Sequence, residues 1–123
     1  MTGQRPALPK PVRGDVFSAR LDPTEGSEQA GTRPVVILSR DSINANSPVV
    51  VVVPITDAAN VKRLYPSHAR LPKGAGGLKM DRVAKAEQIR AIQISRFAGY
   101  YGRLDRDLLG RIEEAIKITL ALR

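Results

Sequence analysis

Arg33 and Thr56 are the two side chains of this sequence whose types and surroundings suit chemistry on a phosphate group. Arg33 ends the polar stretch GSEQAGTR, and Pro34 begins a run of apolar residues. The proline disfavours a helical conformation at Arg33, so we expect it to be extended at the start of a strand. A guanidinium makes forked, charge-assisted hydrogen bonds to phosphate oxygens, and Thr56, at the exit of another strand, offers a hydroxyl donor. On spacing alone, a structural role for Arg33 is the stronger interpretation.

This pair suits a reaction in which the substrate supplies its own nucleophile. The 2′-hydroxyl of RNA can attack the adjacent phosphate, so the protein needs only to move a proton and stabilise the crowded phosphorane oxygens. Other chemistries lack their residues. The chain has one histidine and no cysteine, no G-x-S-x-G segment and no glycine-rich phosphate loop ending in Lys-Ser/Thr. We expect no metal and no cofactor, and we interpret His68 as an exposed bystander on a surface strand.

The length and composition indicate one domain. A chain of 123 residues has enough surface to bury for a single core, which we place in residues 13–123, with residues 1–12 as a flexible, proline-containing arm. The lack of cysteine suits a reducing compartment, and no apolar run is long enough to cross a bilayer. We therefore expect a soluble, cytoplasmic protein.

The positive charge is concentrated in one segment. Residues 62–103 contain ten Lys and Arg side chains against two acidic ones, whereas the rest of the chain is balanced. Such a segment is typical of a surface that meets a polyanion, although basic residues also simply solvate strands. The five aromatic residues are too few for a general single-strand-coating module.

The order of elements predicts a mainly β fold. We expect strands near residues 16–19, 35–38, 47–56 and 69–71, and one or two more within residues 78–95. Gly99 and Gly102 flank paired tyrosines in a predicted turn or bulge. Asp105 can cap a final helix whose apolar face comprises Leu108, Leu109, Ile112, Ile116 and Leu120. This order predicts a small β-barrel or rolled sheet with the helix packed on it.

Four segments together resemble the MazF/PemK-type toxins, the sequence-specific endoribonucleases of toxin–antitoxin pairs. They are RGDVFSARLDPTEGSEQAGTRPVVILS from Arg13, VPIT at 53–56, AEQIRAI at 86–92 and the helix ending AIKITLAL. The resemblance implies an SH3-like barrel of the plasmid-maintenance toxin type and a homodimer. It also implies metal-independent cleavage of single-stranded RNA and inhibition by an antitoxin with an acidic, flexible tail.

The resemblance also implies roles for individual residues. The family's catalytic arginine and threonine match Arg33 and Thr56, and Glu28 lies near the scissile phosphate, either as the general base or as an ion-pair partner that orients Arg33. Some relatives carry Arg-x-Asp-Gln where this chain has Lys85, Ala86, Glu87 and Gln88. The residues implied in RNA binding are Ser27, Gln29, Lys79, Arg82, Lys85, Glu87, Gln88 and Arg90, of which the cations would contact phosphates and the two glutamines would contact base edges.

Two other functions use the same features. Toxins with this barrel also bind DNA gyrase without cutting nucleic acid, but that class presents a tryptophan near its C-terminus, and this chain has none. A non-catalytic RNA-binding module would use the basic segment and return its RNA uncut.

Overall fold

Residues 7–123, the part of the chain that the computed structural model describes, contain seven strands and two helices. The strands are β1 (Asp15–Arg20), β2 (Thr32–Ile37), β3 (Val49–Asp57), β4 (His68–Leu71), β5 (Arg82–Lys85), β6 (Arg90–Gln93) and β7 (Phe97–Arg103). The helices are α1 (Asp41–Asn46) and α2 (Arg106–Leu120), and single 3-10 turns include Ala58–Asn60, Ala75–Gly77 and Ala86–Gln88. The mainly β fold with a C-terminal helix confirms the predicted class.

The strands form one antiparallel sheet in the order β4-β5-β3-β2-β1-β7. The central strand β3 pairs along one edge with two strands in succession, β6 at Val49–Val52 and β5 at Ile55–Asp57. Within residues 7–123 no ladder joins β4 to β7, so the predicted barrel is rolled but not closed by hydrogen bonds.

Neighbouring residues of the central strands enter different cores. Val36 and Val53 pack with Ile112 of α2, and we call this side of the sheet the helix face. Val35 and Val52, one residue away in each strand, belong to a second core that contains no residue of α2, and we call this side the far face. This alternation explains why the β-branched run of β3 is buried on both sides.

Helix α2 follows its predicted pattern. The Asp105 carboxylate accepts a hydrogen bond from the Leu108 N–H at 2.8 Å, which confirms the predicted cap. Ile112 is fully buried, and Leu108 and Ile116 pack against the helix-face core. The exception is Leu120, which is exposed in the last turn and does not take part in that face.

Two short segments differ from expectation. Tyr100 and Tyr101 lie within β7 rather than in a turn, and the predicted bulge is present as irregular pairing with β1. Helix α1 has no apolar periodicity, and the sequence did not predict it. It is tied by Asn44, whose amide donates to the Ser39 carbonyl oxygen at 2.8 Å.

The Arg-Gly-Asp opening has a structural role. Arg13 donates to the Leu38 carbonyl oxygen at 3.0 Å and forms an ion pair of 2.6 Å with Glu113 of α2. The Asp15 carboxylate is 1 % exposed and accepts hydrogen bonds from Arg103 Nε and the Val12 N–H, both at 2.8 Å. These contacts join the start of β1 to β7 and α2.

The predicted N-terminal arm meets the domain at its last residues. Pro11 is buried, and Lys10 Nζ donates to the Ala45 carbonyl oxygen at 3.2 Å. Residues 1–6 of the arm lie outside the described residues. Neither α1 nor α2 has the length and apolar character that a bilayer-spanning helix needs.

Candidate active site

The register between β2 and β3 places Arg33 and Thr56 on the same side of the sheet, at one end of the far face. Val35 of β2 pairs with Pro54 of β3, and the strands are antiparallel. This pairing ends at Val35 and Pro54, and Arg33 and Thr56 lie two residues beyond them in their strands. Residues two apart in one strand project from the same face, so both side chains lie on the far face. The apolar far face thus ends in a guanidinium and a hydroxyl.

Thr56 is held by the sheet. It pairs with Val83 of β5 and is 3 % exposed. Its hydroxyl makes no hydrogen bond within residues 7–123, where Arg82 Nε is the one fully enclosed polar side-chain atom without a partner. The Thr56 hydroxyl is therefore not committed to another group among these residues and can donate to a ligand.

Arg33 is half-buried, and the protein uses only part of its guanidinium. Arg33 Nε donates to the Ala30 carbonyl oxygen at 3.0 Å. Within residues 7–123 the two terminal nitrogens have no hydrogen-bond or ion-pair partner, so the alternative in which Glu28 forms an orienting ion pair with Arg33 is not realised. The terminal nitrogens are available to fork onto an anionic ligand.

The loop between β1 and β2, residues 21–31, is closed at its base by backbone contacts. The Leu21 N–H donates to the Gly31 carbonyl oxygen at 2.9 Å, and Gly31 has a φ of +74°, a left-handed conformation that favours glycine. Arg90 Nη1 donates to the Leu21 carbonyl oxygen at 3.2 Å, and Arg96 Nη1 donates to two carbonyl oxygens of the same turn. The loop is therefore anchored where it approaches Arg33.

This loop and the Ala86–Gln88 turn form the walls of a groove of about 400 Å³. β3 pairs along one edge with β6 before Pro54 and with β5 after it, so the turn that joins β5 to β6 lies beside β3 at this proline. The Gln29 N–H donates to Gln88 Oε1 at 3.3 Å and links the two walls. The groove is lined by Glu28, Gln29, Pro54, Glu87, Gln88, Ile89 and Arg90.

Most of the predicted site residues meet in or beside this groove. Five of its lining residues are among those predicted from the sequence, namely Glu28, Gln29, Glu87, Gln88 and Arg90. Ser27 is exposed beside them on the loop, and Lys85 Nζ lies 4.0 Å from Glu87 Oε2. Residues far apart in the chain therefore converge at the end of β3.

Two predicted phosphate contacts lie elsewhere. Val83 pairs with Thr56, so its neighbour Arg82 projects from the helix face, on the other side of the sheet. Lys79 is exposed on the loop before β5, next to Leu78, which is buried in the helix-face core, and it does not line the groove. Strand alternation and loop path, which charge alone does not reveal, account for both differences.

His68 is not the exposed bystander that we expected. Its side chain is 5 % exposed, and its Nδ1 accepts a hydrogen bond from the Tyr65 N–H at 3.2 Å. An acceptor Nδ1 leaves the proton on Nε2, which lies 3.1 Å from Glu87 Oε2 and donates to it. The sequence did not reveal this contact, because the covering segment, residues 58–67, has no periodic pattern.

The cations of the basic segment serve two purposes. Arg90 and Arg96 hold the 21–31 loop, and Arg103 neutralises the buried carboxylate of Asp15. Burial, followed by the charge of the neighbouring Asp15, raises the pKa of the Tyr100 phenol, and the Arg103 charge opposes that shift. The expected basic surface is therefore only part of the explanation for the charge of this segment.

Two further observations concern metal ligands and a concavity on α2. Among residues 7–123 no three His, Cys, Asp or Glu side chains lie close enough together to hold a metal ion. A concavity of about 640 Å³, larger than the groove, lies on the outer side of α2 and is lined by residues of that helix alone, such as Arg106 and Glu114. Separate elements converge on the groove but not on this concavity.

The family match and two similar known proteins indicate the same family for this chain. Residues 12–120 match the family described as PemK-like, MazF-like toxins of type II toxin–antitoxin systems. Endoribonuclease EndoA of Bacillus subtilis is 39 % identical over 110 residues, covering 89 % of this chain and 94 % of the relative. Endoribonuclease MazF of Staphylococcus epidermidis is 40 % identical over 110 residues, covering 89 % and 91 %.

Solved structures show the same fold. MazF from Deinococcus radiodurans superposes with a TM-score of 0.78 at 25 % identity, covering 94 % of this chain and all of the other. A mycobacterial endoribonuclease in complex with its cognate antitoxin gives a TM-score of 0.75 at 22 % identity, covering 92 % and 97 %.

Proposed function

From the membership of this chain in the family of PemK-like, MazF-like toxins of type II toxin–antitoxin systems, and from its groove, we propose how it cuts RNA. The protein is a toxin and an endoribonuclease, with RNA as its substrate and a cognate antitoxin as its partner. We infer that it cleaves single-stranded RNA in a sequence-specific manner, without a metal ion or cofactor. We further infer that it acts in the cytoplasm as a homodimer.

The observation that supports this proposal is that Arg33 and Thr56 share the far face, two residues beyond the Val35–Pro54 pair, and that Pro54 lines the groove. The 2′-oxygen of a ribose attacks the adjacent phosphorus and forms a new P–O bond. The bond from phosphorus to the 5′-oxygen breaks, and the departing oxygen takes up a proton from solvent, while the 2′-hydroxyl proton goes to the base. The products are a 2′,3′-cyclic phosphate and a 5′-hydroxyl, so RNA supplies the nucleophile.

Arg33 and Thr56 stabilise the negative charge that develops on the phosphorane. The free terminal nitrogens of Arg33 donate two hydrogen bonds to non-bridging oxygens, and the Thr56 hydroxyl donates a third. Arginine stays protonated throughout, so its main contribution is charge stabilisation. Because the sheet and the closed loop hold both groups in place, little reorganisation accompanies the reaction.

Glu28 is the proposed base for the 2′-hydroxyl proton. Its Oε1 accepts a hydrogen bond from the Glu25 N–H at 2.8 Å, which fixes the carboxylate at the groove wall. The carboxylate makes no ion pair with Arg33, which favours the base role over the orienting role. A base must lie within hydrogen-bond reach of the proton it removes, and the groove wall is that location.

The remaining groove residues bind the RNA strand. Gln29 and Gln88 address base edges, and Ser27 and Glu87 border the same space. Arg90 and Lys85 contact phosphates, which position the strand without reading its sequence. Lys79 and Arg82 have no role in this proposal. Arg90 in the groove and Lys85 beside it also suit the acidic, flexible tail that we assign to the antitoxin, which would block RNA by covering the same surface.

A digest of RNA in the presence of EDTA tests this mechanism. We expect full cleavage, products with 2′,3′-cyclic phosphate and 5′-hydroxyl ends, and no cleavage of an oligonucleotide with a single 2′-deoxyribose at the cut site. Loss of activity with chelator, restored by a divalent ion, would contradict the proposal. RNA that binds with strong salt dependence but stays intact would instead identify a non-catalytic module.

A further inference from the structure

A second concavity, of about 270 Å³, lies beside the groove and is built around Tyr65. Tyr65 is 55 % exposed, which makes it the most exposed aromatic side chain of the protein. The Arg63 guanidinium lies 5.8 Å from the centre of its ring, and Lys62 and Lys85 line the same space. We call this concavity the Tyr65 pocket.

The Tyr65 pocket opens on the same side of the sheet as Thr56. Thr56 pairs with Val83, and Lys85, two residues further along β5, pairs with His68 of β4. Residues that are paired, or two apart in one strand, share a face. β4 is two strands away from β3, which corresponds to about 10 Å. The pocket is therefore close enough to take the part of a bound strand that leaves the groove.

His68 makes Tyr65 a fixed platform despite its exposure. The buried imidazole accepts the Tyr65 N–H, and its ring meets the tyrosine ring edge-on at a centroid distance of 5.5 Å. Its other nitrogen binds Glu87, which lines the groove and also lies 4.0 Å from Lys85 Nζ. One side chain thus connects the platform to the groove wall.

We propose that the Tyr65 pocket is a binding subsite for an RNA nucleotide that flanks the cleaved bond. The base stacks on the Tyr65 ring, and its phosphates lie among Lys62, Arg63 and Lys85. An exposed ring surrounded by cations is the combination that single-stranded nucleic acid requires. This inference rests on the proposed function, because it assumes that the strand passes over Thr56.

The test compares wild type, Tyr65→Ala and Tyr65→Phe on one long RNA, with the cleavage ends sequenced. Wild type is expected to show a nucleotide preference at one flanking position, which Tyr65→Ala loses together with about 10-fold to 100-fold in kcat/KM, the effect of one base–aromatic stack. Tyr65→Phe retains the ring and is expected to recover most of this loss. On an oligonucleotide shortened to exclude that position, wild type and Tyr65→Ala are expected to cleave equally.

Binding to the same RNA, followed by fluorescence anisotropy, provides a readout independent of cleavage. Lys62→Ala is expected to lower the slope of log affinity against log salt by about 0.7, the contribution of one phosphate contact to a single strand. Lys117→Ala, a matched loss of charge on α2, is expected to leave that slope unchanged.

The outcomes separate this inference from the proposed function. If wild type cuts RNA and Tyr65→Ala cuts it with the same rate and preference, the subsite is overturned and the mechanism stands. If wild type cuts nothing, the mechanism fails, and the affinity of Tyr65→Ala for the long RNA decides the subsite. An affinity equal to that of wild type would overturn it, whereas a loss that Tyr65→Phe reverses would support it.

Discussion

The two faces of the sheet use the same strands for different purposes. On the helix face, Val36 of β2 and Val53 and Ile55 of β3 form one apolar core with Ile112 of α2. On the far face the same strands begin as a core and end in Arg33 and Thr56. Alternate residues of the same two strands therefore serve stability on the helix face and catalysis at the end of the far face. Substitutions on the helix face should change mainly the free energy of unfolding, and substitutions of Arg33 or Thr56 should change mainly the rate of cleavage.

The largest effect is expected from Arg33→Ala. Loss of the guanidinium should lower kcat/KM by about 10²-fold to 10³-fold or more, on the scale of removing a preorganised donor to a transition-state oxyanion. Arg33 makes one hydrogen bond and no ion pair within residues 7–123. The free energy of unfolding of the Arg33→Ala protein should therefore differ little from that of the wild type. Cleavage of an RNA oligonucleotide and urea unfolding measure the two quantities.

Arg33→Lys sharpens this test. Lysine keeps the charge and loses the fork, so we expect only a small recovery of activity. A folded Arg33→Ala enzyme with wild-type kcat/KM would remove Arg33 from the site and would leave the far face without its proposed chemistry.

Ile112→Ala tests the other face. Truncation of this fully buried side chain should lower the free energy of unfolding by about 2–5 kcal/mol, through lost transfer energy and the cavity that remains. The molecules that remain folded should cleave RNA with an unchanged kcat. Ile118→Ala, at a position of the same helix that is 56 % exposed, is the control, and we expect a change within about 0.5 kcal/mol. Equal destabilisation by both variants would contradict the assignment of the helix-face core.

The smallest effects are expected at His68, where two variants each keep one of its two contacts. Asparagine places an amide oxygen where Nδ1 accepts from Tyr65, and glutamine places an amide nitrogen where Nε2 donates to Glu87. Loss of one such hydrogen bond is worth about 1 kcal/mol, or about five-fold in rate. His68→Asn should therefore weaken cleavage of short and long RNA alike, because it releases the groove wall.

His68→Gln should weaken cleavage only of RNA that reaches the Tyr65 pocket, because it releases the platform. Steady-state kinetics on the two substrate lengths distinguish the variants, and thermal unfolding shows whether either is merely less stable. Identical kinetic losses on both substrates for both variants would mean that His68 supports the fold and positions neither feature.

Local patterns predicted the regular elements because each pattern depends on nearby residues. The alternation in β3 and the three- and four-residue spacing in α2, with its Asp105 cap, have the same meaning in any tertiary context. Helix α1 was missed because hydrogen bonds of Asn44, rather than an apolar face, hold it. The glycines that flank the paired tyrosines predict a turn or a bulge, and pairing with β1 keeps the tyrosines in β7 with the irregular register of a bulge.

Residue types and the family resemblance predicted which residues form the site, but not where each side chain lies. The groove brings together Glu28, Gln29, Glu87, Gln88 and Arg90, as expected, whereas Arg82 lies on the opposite face because one step along a strand reverses the side chain. The interpretation of His68 as an exposed bystander was wrong, because its burial depends on the 58–67 segment, which no periodic pattern describes.

The sequence by itself determined the class of fold, the order of its elements and the types of side chain available for catalysis, since these depend on composition and short-range spacing. Only the tertiary structure decided that Arg33 and Thr56 share the far face, that the groove opens beside Pro54 and that His68 connects Tyr65 to Glu87. The reason is that strand register and loop coverage arise from contacts between segments far apart in the chain, and the sum of those contacts is set only when the whole domain packs.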